Sequence, residues 1–231
     1  MNKYAIMFFG FLSVVILTFV ITRQLNDGSS AAESSAKTQE DQQVVVKKYT
    51  DADKAKILTP TEGDNYLGKD LAPVVMIEYA SLSCPHCAHF HEKVVEPLIP
   101  TYIESGKVKL IYRDYPLDNL AYKASRVAHC SGKDKYFSFI KVFFKSQNSW
   151  SMSGEDEIKK IAKLGGLDEA AYATCMANKQ VEENILKVAG DANKVLGVSS
   201  TPTIFINGNQ YKGPHKFEDV AEFIDKQLKG E

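Results

Sequence analysis

The chain has 231 residues, of which 44% are hydrophobic and 25% are charged. This is enough apolar material for one sizeable core and an accessory segment. The formal net charge is -1 and no long basic stretch alternates with aromatic residues, which argues against nucleic acid as a partner.

The accessory segment lies at the N-terminus. Residues 5–21 are uncharged, with Lys3 before them and Arg23 after them, and they are at the short end of the ~17–25 residues that span a bilayer as a helix. We interpret residues 1–22 as a signal peptide or a membrane anchor. Small residues suited to cleavage, at 30–32, lie well past the apolar run, which favours the anchor. Lys3 favours export of the remaining chain into a compartment that permits disulfides.

Residues 23–43 consist largely of Ser, Ala, Asp, Glu and Gln. They cannot bury enough apolar surface to offset the entropy of ordering, so we interpret them as a flexible linker. The folded part is expected to begin near Val44, with a short edge strand over residues 44–49.

A strand and a helix follow, with the cysteine motif between them. Residues 73–81 form a nearly continuous apolar run, typical of a strand buried in a parallel sheet. After it the apolar residues recur at helical spacing, and Pro97 and Pro100 are expected to kink or interrupt this helix. Residues 107–115 alternate apolar and basic residues and predict a second strand.

Residues 118–197, the helical block, carry mostly helical signals, and the positions of their glycines and capping residues indicate four or five helices. Gly132 ends one helix, Ser153 and Asp156 resemble a capping box that opens another, and Gly165-Gly166 closes it.

The last part of the chain predicts a hairpin and a helix. Residues 203–206 and 210–212 form the two strands, joined by a tight turn at Asn207-Gly208. The inner face of the final helix consists of four apolar residues, with Gly230 beyond its end. These residues are Phe217, Val220, Ile224 and Leu228.

The sequence CPHC places Cys84 and Cys87 at the predicted start of a helix. Backbone N–H groups and the helix dipole stabilise a thiolate on Cys84 there. Pro85 suits the first helical turn, where its missing N–H has no partner to lose, and a charged His86 would lower the pKa of Cys84 further. A dithiol that is stabilised in its reduced form makes a strongly oxidising disulfide. The motif therefore predicts a redox couple that donates its disulfide.

A metal site is the alternative, because His89 and His91 together with both cysteines could bind zinc or copper. Structural metal sites usually take ligands from two separated segments, however, and no second such pair follows in the chain. We favour the redox couple over a metal site or inert cysteines, with both histidines at the surface or edge of the helix.

The stretches YASLSCPHC and GVSSTPTIFING resemble the two signatures of the bacterial DsbA family of thiol:disulfide oxidoreductases. The resemblance implies an α/β thioredoxin fold with an inserted all-helical domain, preceded by an N-terminal transmembrane or signal segment. The first part of the thioredoxin fold would occupy residues 44–117, the inserted domain residues 118–197 and the second part residues 198–231.

The resemblance also implies roles for individual residues. Thr201 and Pro202 match a cis-proline loop beside the cysteines that binds extended substrate peptides. Glu78 matches a buried acid that assists proton transfer at Cys87, although a glutamate at the sheet edge paired with a lysine is the alternative. His86 matches the histidine of the family motif, and no cofactor is implied beyond the Cys84–Cys87 disulfide.

The implied partners follow from the same resemblance. The substrates would be unfolded or folding exported proteins with free thiols, and a DsbB-like membrane quinone reductase would reoxidise the chain. The protein would be a periplasmic monomer, anchored to the inner membrane by residues 5–21. The rival functions are a disulfide isomerase or reductase, a chaperone-like binding protein and a metal-handling protein. An isomerase usually needs a dimerisation domain, for which the polar linker is too short.

Two cysteines remain, Cys130 and Cys175, both in the helical block. Leftover cysteines in an exported protein usually pair, so we expect a structural disulfide. Free buried thiols are the alternative, and an effect of the pair on the active-site redox potential is left open.

Overall fold

The computed structural model describes residues 49–231. The strands are β1 (Asn65–Leu67), β2 (Val74–Ala80), β3 (Val108–Asp114), β4 (Thr203–Ile206) and β5 (Asn209–Tyr211). The α-helices are α1 (Asp51–Leu58), α2 (Pro85–Phe90), α3 (Glu96–Leu98), α4 (Asn119–Cys130), α5 (Lys133–Lys145), α6 (Gln147–Ser153), α7 (Glu155–Leu164), α8 (Glu169–Ala177), α9 (Lys179–Asp191) and α10 (Phe217–Lys229). Segments with π-helical hydrogen bonding lie at His91–Val95, Ile99–Ile103 and Ala192–Leu196.

Two segments predicted from the sequence lie outside the described residues, namely the N-terminal apolar segment and the linker. The edge strand expected over residues 44–49 is described only at Tyr49, which is not in a strand. Helix α1 and strand β1 are additional to the sequence prediction.

The five strands form one sheet in the order β1-β3-β2-β4-β5. Strands β2 and β3 are parallel neighbours, and the other neighbouring pairs are antiparallel. The apolar run predicted to be a buried strand is β2, which lies at the centre of the sheet. Strand β3 is also confirmed, and its basic residues Lys109 and Arg113 are buried together with its apolar residues. They are buried because each has an acidic partner, Asp70 for Lys109 and Asp64 for Arg113.

The helix after the cysteines continues from Pro85 to Ile103 through alternating α- and π-helical segments. Pro97 and Pro100 therefore do not interrupt it. A proline cannot donate a helical hydrogen bond and its ring crowds the carbonyl four residues earlier. Here the bonding pattern widens around the prolines, so that the N–H of Glu96 donates to the carbonyl of His91, five residues back.

Six α-helices lie between β3 and β4, rather than four or five. The expected capping box is also wrong. Ser153 is the last residue of α6, and Gly154, at φ 71°, is the N-cap of α7 without a side-chain cap. The helix ends at Gly132 and Gly165 agree with the sequence prediction.

The C-terminal hairpin and helix are confirmed. Asn207 and Gly208 have φ values of 47° and 81°, the left-handed conformation that a tight hairpin turn requires. Strand β5 begins at Asn209, one residue before its predicted start. On α10, Val220 and Ile224 are fully buried, and Gly230 is the left-handed C-cap.

Candidate active site

The cysteine motif lies where β2 leads into α2. Cys84 is the N-cap of α2 and Pro85 is its first residue. The N–H groups of Cys87 and Ala88 both donate to the carbonyl of Cys84 at 3.1 Å. The helix therefore starts on the backbone of Cys84, with the side chain of Cys84 at the open end and that of Cys87 one turn further on.

A loop from the C-terminal part of the chain reaches Cys84. The Thr201–Pro202 peptide bond is cis, as the family resemblance implied. The Cys84 thiol donates to the carbonyl of Thr201 at 3.3 Å. The Thr201 hydroxyl is buried and has no hydrogen-bond partner among the described residues, so it is free to donate to a thiolate on Cys84.

The surroundings of Cys84 favour its thiolate and lower its pKa to about 5. The hydrogen bond with Cys87 contributes most, whereas burial acts in the opposite direction. The Thr201 side chain, which is placed to donate to a thiolate on Cys84, and the backbone N–H groups of Cys87 and His86 also lower the pKa. His86 contributes through its backbone N–H, and its side chain is exposed.

Cys87 has the opposite environment. It is completely buried, and burial raises its pKa far above the ordinary value. The hydrogen bond to Cys84 and the charge of Glu78 raise this pKa further. At neutral pH the pair therefore consists of one thiolate, Cys84, and one thiol, Cys87. Both cysteines are free in this structure.

Glu78 is fully buried on the central strand β2. The alternative of an edge glutamate paired with a lysine is therefore wrong. Its partner is His91, whose Nε2 lies 2.8 Å from Glu78 Oε2. The expectation that His91 lies at the helix surface is also wrong, because this contact draws its ring into the interior.

The four residues considered as metal ligands do not come together. His89 is exposed and His91 is bound to Glu78, so neither joins Cys84 and Cys87. Across residues 49–231, no group of three or more cysteine, histidine and acidic side chains is arranged to hold a metal ion.

One residue at this site was not found from the sequence. Gln147, at the start of α6, is buried and its Nε2 donates to the carbonyls of Leu82 and Cys84 at 2.6 and 3.1 Å. These two hydrogen bonds connect the helical block to the backbone that carries Cys84. A glutamine far along the chain has no local pattern that would indicate this contact.

The remaining cysteines, Cys130 and Cys175, form a disulfide between α4 and α8, with Cα atoms 5.9 Å apart. Arg126 packs beside it and donates to the carbonyls of Cys175 and Asn178. This disulfide lies in the helical block and is separate from the Cys84–Cys87 pair.

The chain is similar in sequence and fold to known proteins. A family model described as thioredoxin matches residues 60–226. A putative protein-disulfide oxidoreductase of Rickettsia bellii is 28% identical over 170 residues, which cover 72% of this chain and 65% of that protein. A probable disulfide bond formation protein D of Bacillus cereus is 29% identical over 171 residues, or 71% of this chain and 78% of that protein.

Among solved structures, alpha-DsbA1 of Wolbachia pipientis is similar, with a TM-score of 0.71 and 33% sequence identity. The match covers 76% of this chain and 96% of alpha-DsbA1. By contrast, this chain spans less than two thirds of the length of the Rickettsia bellii relative. The family match and the shared fold show that the chain belongs to the thioredoxin family and, within it, to the DsbA group of thiol:disulfide oxidoreductases.

Proposed function

We propose that the chain is a protein thiol:disulfide oxidoreductase that donates the Cys84–Cys87 disulfide to exported proteins. The observation that carries this proposal is the position of the two cysteines, Cys84 at the N-cap of α2 and Cys87 fully buried one turn further on, which shifts their pKa values in opposite directions. A leaving thiolate that is stable at neutral pH makes a disulfide easy to reduce, so the disulfide is a strong oxidant. The relatives described as a putative protein-disulfide oxidoreductase and a probable disulfide bond formation protein D support the same reaction class.

The proposed reaction has two steps. A substrate thiolate attacks Cys84 Sγ, the Cys84–Cys87 bond breaks, and the sulfur of Cys87 takes the electron pair and a proton. A second substrate thiolate then attacks the substrate sulfur of the mixed disulfide, and Cys84 leaves as a thiolate. Two electrons thus pass from two substrate thiols to the cysteine pair, and no other cofactor takes part.

The proposal also extends to location and partners. Residues 5–21 would anchor the chain to the inner membrane with the folded part in the periplasm. There a DsbB-like quinone reductase would reoxidise the cysteine pair. The protein would act as a monomer. The uncharged run and its flanking Lys3 support this arrangement. Within residues 49–231, no helix is long and apolar enough to cross a membrane. Residues 118–197 would act as a helical domain inserted between residues 44–117 and 198–231.

The reduction potential of the Cys84–Cys87 pair tests the proposal. Equilibration with glutathione should give a value above roughly -150 mV, nearer the ~-120 mV of DsbA than the ~-270 mV of thioredoxin. A value near that of thioredoxin would make the chain a reductase and reject the proposed direction. Cys84→Ala should abolish oxidation of a reduced, unfolded protein. If oxidation survives, the cysteine pair is not the donor.

A further inference from the structure

The Glu78–His91 pair extends from the neighbourhood of Cys87 towards the surface of the molecule. The charge of Glu78 acts on Cys87, so its carboxylate lies within electrostatic reach of that buried thiol. Oε2 is held by His91 Nε2 at 2.8 Å. Oε1 is buried and has no hydrogen-bond partner among the described residues. One carboxylate oxygen is thus engaged by His91, and the other is available for proton exchange.

The opposite side of His91 reaches a groove beside α2. This groove, of about 920 Å³, is lined by His91 together with His89 and Phe144. The ring of His91 packs on Phe144 with centroids 4.4 Å apart and on Tyr112 with centroids 5.7 Å apart, and its side chain is 10% exposed. His91 therefore contacts Glu78 in the interior and also borders a solvent-accessible groove.

Other titratable and charged groups face this pair. In the interior these are Cys87 on α2, Tyr112 on β3 and His215 before α10. On the groove side they are Glu92, Glu96, Lys141 and Lys145. Burial is the first cause that raises the pKa of Tyr112 well above its ordinary value and lowers that of His215. Within residues 49–231, His91 is the one hydrogen-bond partner of the Glu78 carboxylate.

We propose that His91 carries protons between Glu78 and the groove, so that the proton of Cys87 enters and leaves through this pair. The inference rests on the proposed function and adds a positioning residue to it. When the Cys84–Cys87 bond breaks, His91 passes a proton to the Glu78 carboxylate, and Glu78 delivers it to the sulfur of Cys87. His91 then takes up a proton from water in the groove.

Reoxidation uses the same route in reverse. Cys87 gives its proton to Glu78, and the resulting thiolate attacks the Cys84 sulfur of a mixed disulfide and expels the partner's thiolate. The proton on Glu78 passes to His91 and leaves through the groove. His91 does not touch a sulfur atom and acts through Glu78.

The step that needs this proton transfer can be measured in the full chain. Reduced protein is mixed with oxidised glutathione and quenched with acid at intervals. Mass spectrometry then follows formation of the Cys84–glutathione mixed disulfide and its decay by attack of Cys87. His91→Gln keeps an N–H for Glu78 Oε2 but cannot carry a proton. It should slow the decay by about 10-fold or more, up to the ~10²-fold at the low end of general acid–base catalysis, and flatten its pH profile, while formation keeps its wild-type rate.

His89→Gln is the matched control, because His89 lies two residues away on the same helix, is exposed and lines the same groove. In this variant the mixed disulfide should decay at the wild-type rate. In the double variant Glu78→Gln/His91→Gln the mixed disulfide should decay no more slowly than in Glu78→Gln alone, because His91 acts only through Glu78. Should His91→Gln fail to fold, His91→Ala with added imidazole replaces it, and the decay should accelerate with imidazole concentration.

Three results would overturn the inference: decay of His91→Gln within about twofold of wild type, additive losses in the double variant, or no response to imidazole. The glutathione reaction does not depend on which way electrons flow in the cell, so the two proposals fail separately. A thioredoxin-like potential with His91-dependent decay would reject the proposed function alone. A DsbA-like potential with His91-independent decay would reject this inference alone.

Discussion

At the scale of single residues, position decides the chemistry of two identical side chains. Cys84 and Cys87 lie three residues apart, and burial opposes ionisation of both. A thiolate on Cys84 is stabilised by Cys87, by the Thr201 side chain and by the start of α2, and these contributions together outweigh its burial. Cys87 donates a hydrogen bond to Cys84 and faces the charge of Glu78, so that burial and its neighbours act in the same direction.

This difference predicts the pH dependence of alkylation. Because the pKa of Cys84 is lowered to about 5, iodoacetamide should modify Cys84 of the reduced chain at half its maximal rate near pH 5. Cys87 should remain unmodified at neutral pH. Peptide mass spectrometry across pH 3–9 measures both.

The hydrogen bond from Cys87 can be tested by the same assay. Cys87→Ala removes the first cause of the lowered pKa and should move the alkylation midpoint of Cys84 to higher pH. Cys87→Ser keeps a hydroxyl donor and should move it less. A wild-type midpoint near the ordinary thiol value of ~8.5, or an unchanged midpoint in Cys87→Ala, would contradict this account of Cys84.

At the scale of elements, a buried ion pair connects β3 to the segment before β1. Arg113 donates from Nε and Nη2 to the two carboxylate oxygens of Asp64 at 2.9 and 2.8 Å. The same guanidinium donates to Tyr79 and to the carbonyls of Ile57 and Thr59. The N-terminal α1 is thereby held to the sheet, although α1 itself has no buried residue.

Removing one partner of this pair should destabilise the fold strongly. Asp64→Ala would leave the Arg113 charge buried and unpaired, which costs about 3–5 kcal/mol of unfolding free energy, measurable by urea denaturation. The matched control is Glu222→Ala, since the Glu222–Lys226 pair is exposed on α10 and should contribute nothing measurable. A loss in Asp64→Ala no larger than in the control would refute the structural role of the pair.

The pair should also make stability depend on pH. Burial alone would raise the pKa of Asp64, but the hydrogen bond with Arg113 and its charge outweigh burial and hold the pKa below its ordinary value. A depressed carboxyl pKa contributes stability above the unfolded-state value of ~3.9. This contribution is lost as the pH falls through the lower folded-state pKa, so Asp64→Ala should lose less of its stability in acid than wild type does.

At the scale of the whole molecule, the helical block and the cysteine site share one core. A single cluster of buried side chains includes Cys84 and Cys87 together with Trp150, Phe143 and Tyr136 of the helices. Gln147 adds hydrogen bonds across the same boundary. Packing of the helical block therefore supports the backbone that carries the two cysteines.

The Cys130–Cys175 disulfide should stabilise this block without changing the redox site. Its ends are 45 residues apart in the chain, and closing such a loop is worth about 4 kcal/mol in the chain-entropy model. The double variant Cys130→Ala/Cys175→Ala should lose stability of up to that size in urea denaturation, because the disulfide no longer restricts the unfolded chain.

The redox site gives the second readout for this variant. In the double variant the alkylation midpoint of Cys84 should stay near pH 5, since neither Cys130 nor Cys175 is among the groups that set the pKa of Cys84. A shifted midpoint would show that the disulfide tunes the active site. A stability equal to wild type would exclude its structural role.

Local patterns in the amino-acid sequence were sufficient for much of the fold. The apolar run of β2, the Asn207-Gly208 turn and the apolar face of α10 depend on residues a few positions apart, and the structure confirms all three. The same holds for the cysteine motif, whose helix-start position follows from its immediate neighbours. Helix α1 also has a local signal, because Thr50 and Asp53 form a capping box at its start.

Long-range contacts account for what these patterns did not show. His91 was expected at a helix surface, but a contact with Glu78 across 13 positions places it in the interior. The alternation that predicts β3 does not show the pairing of Arg113 with Asp64 across 49 positions. It is equally silent on Gln147, which reaches Leu82 across 65 positions. A polar side chain is buried only when a partner meets it there. Such long-range contacts depend on how distant segments pack, and the spacing of neighbouring residues does not specify that packing.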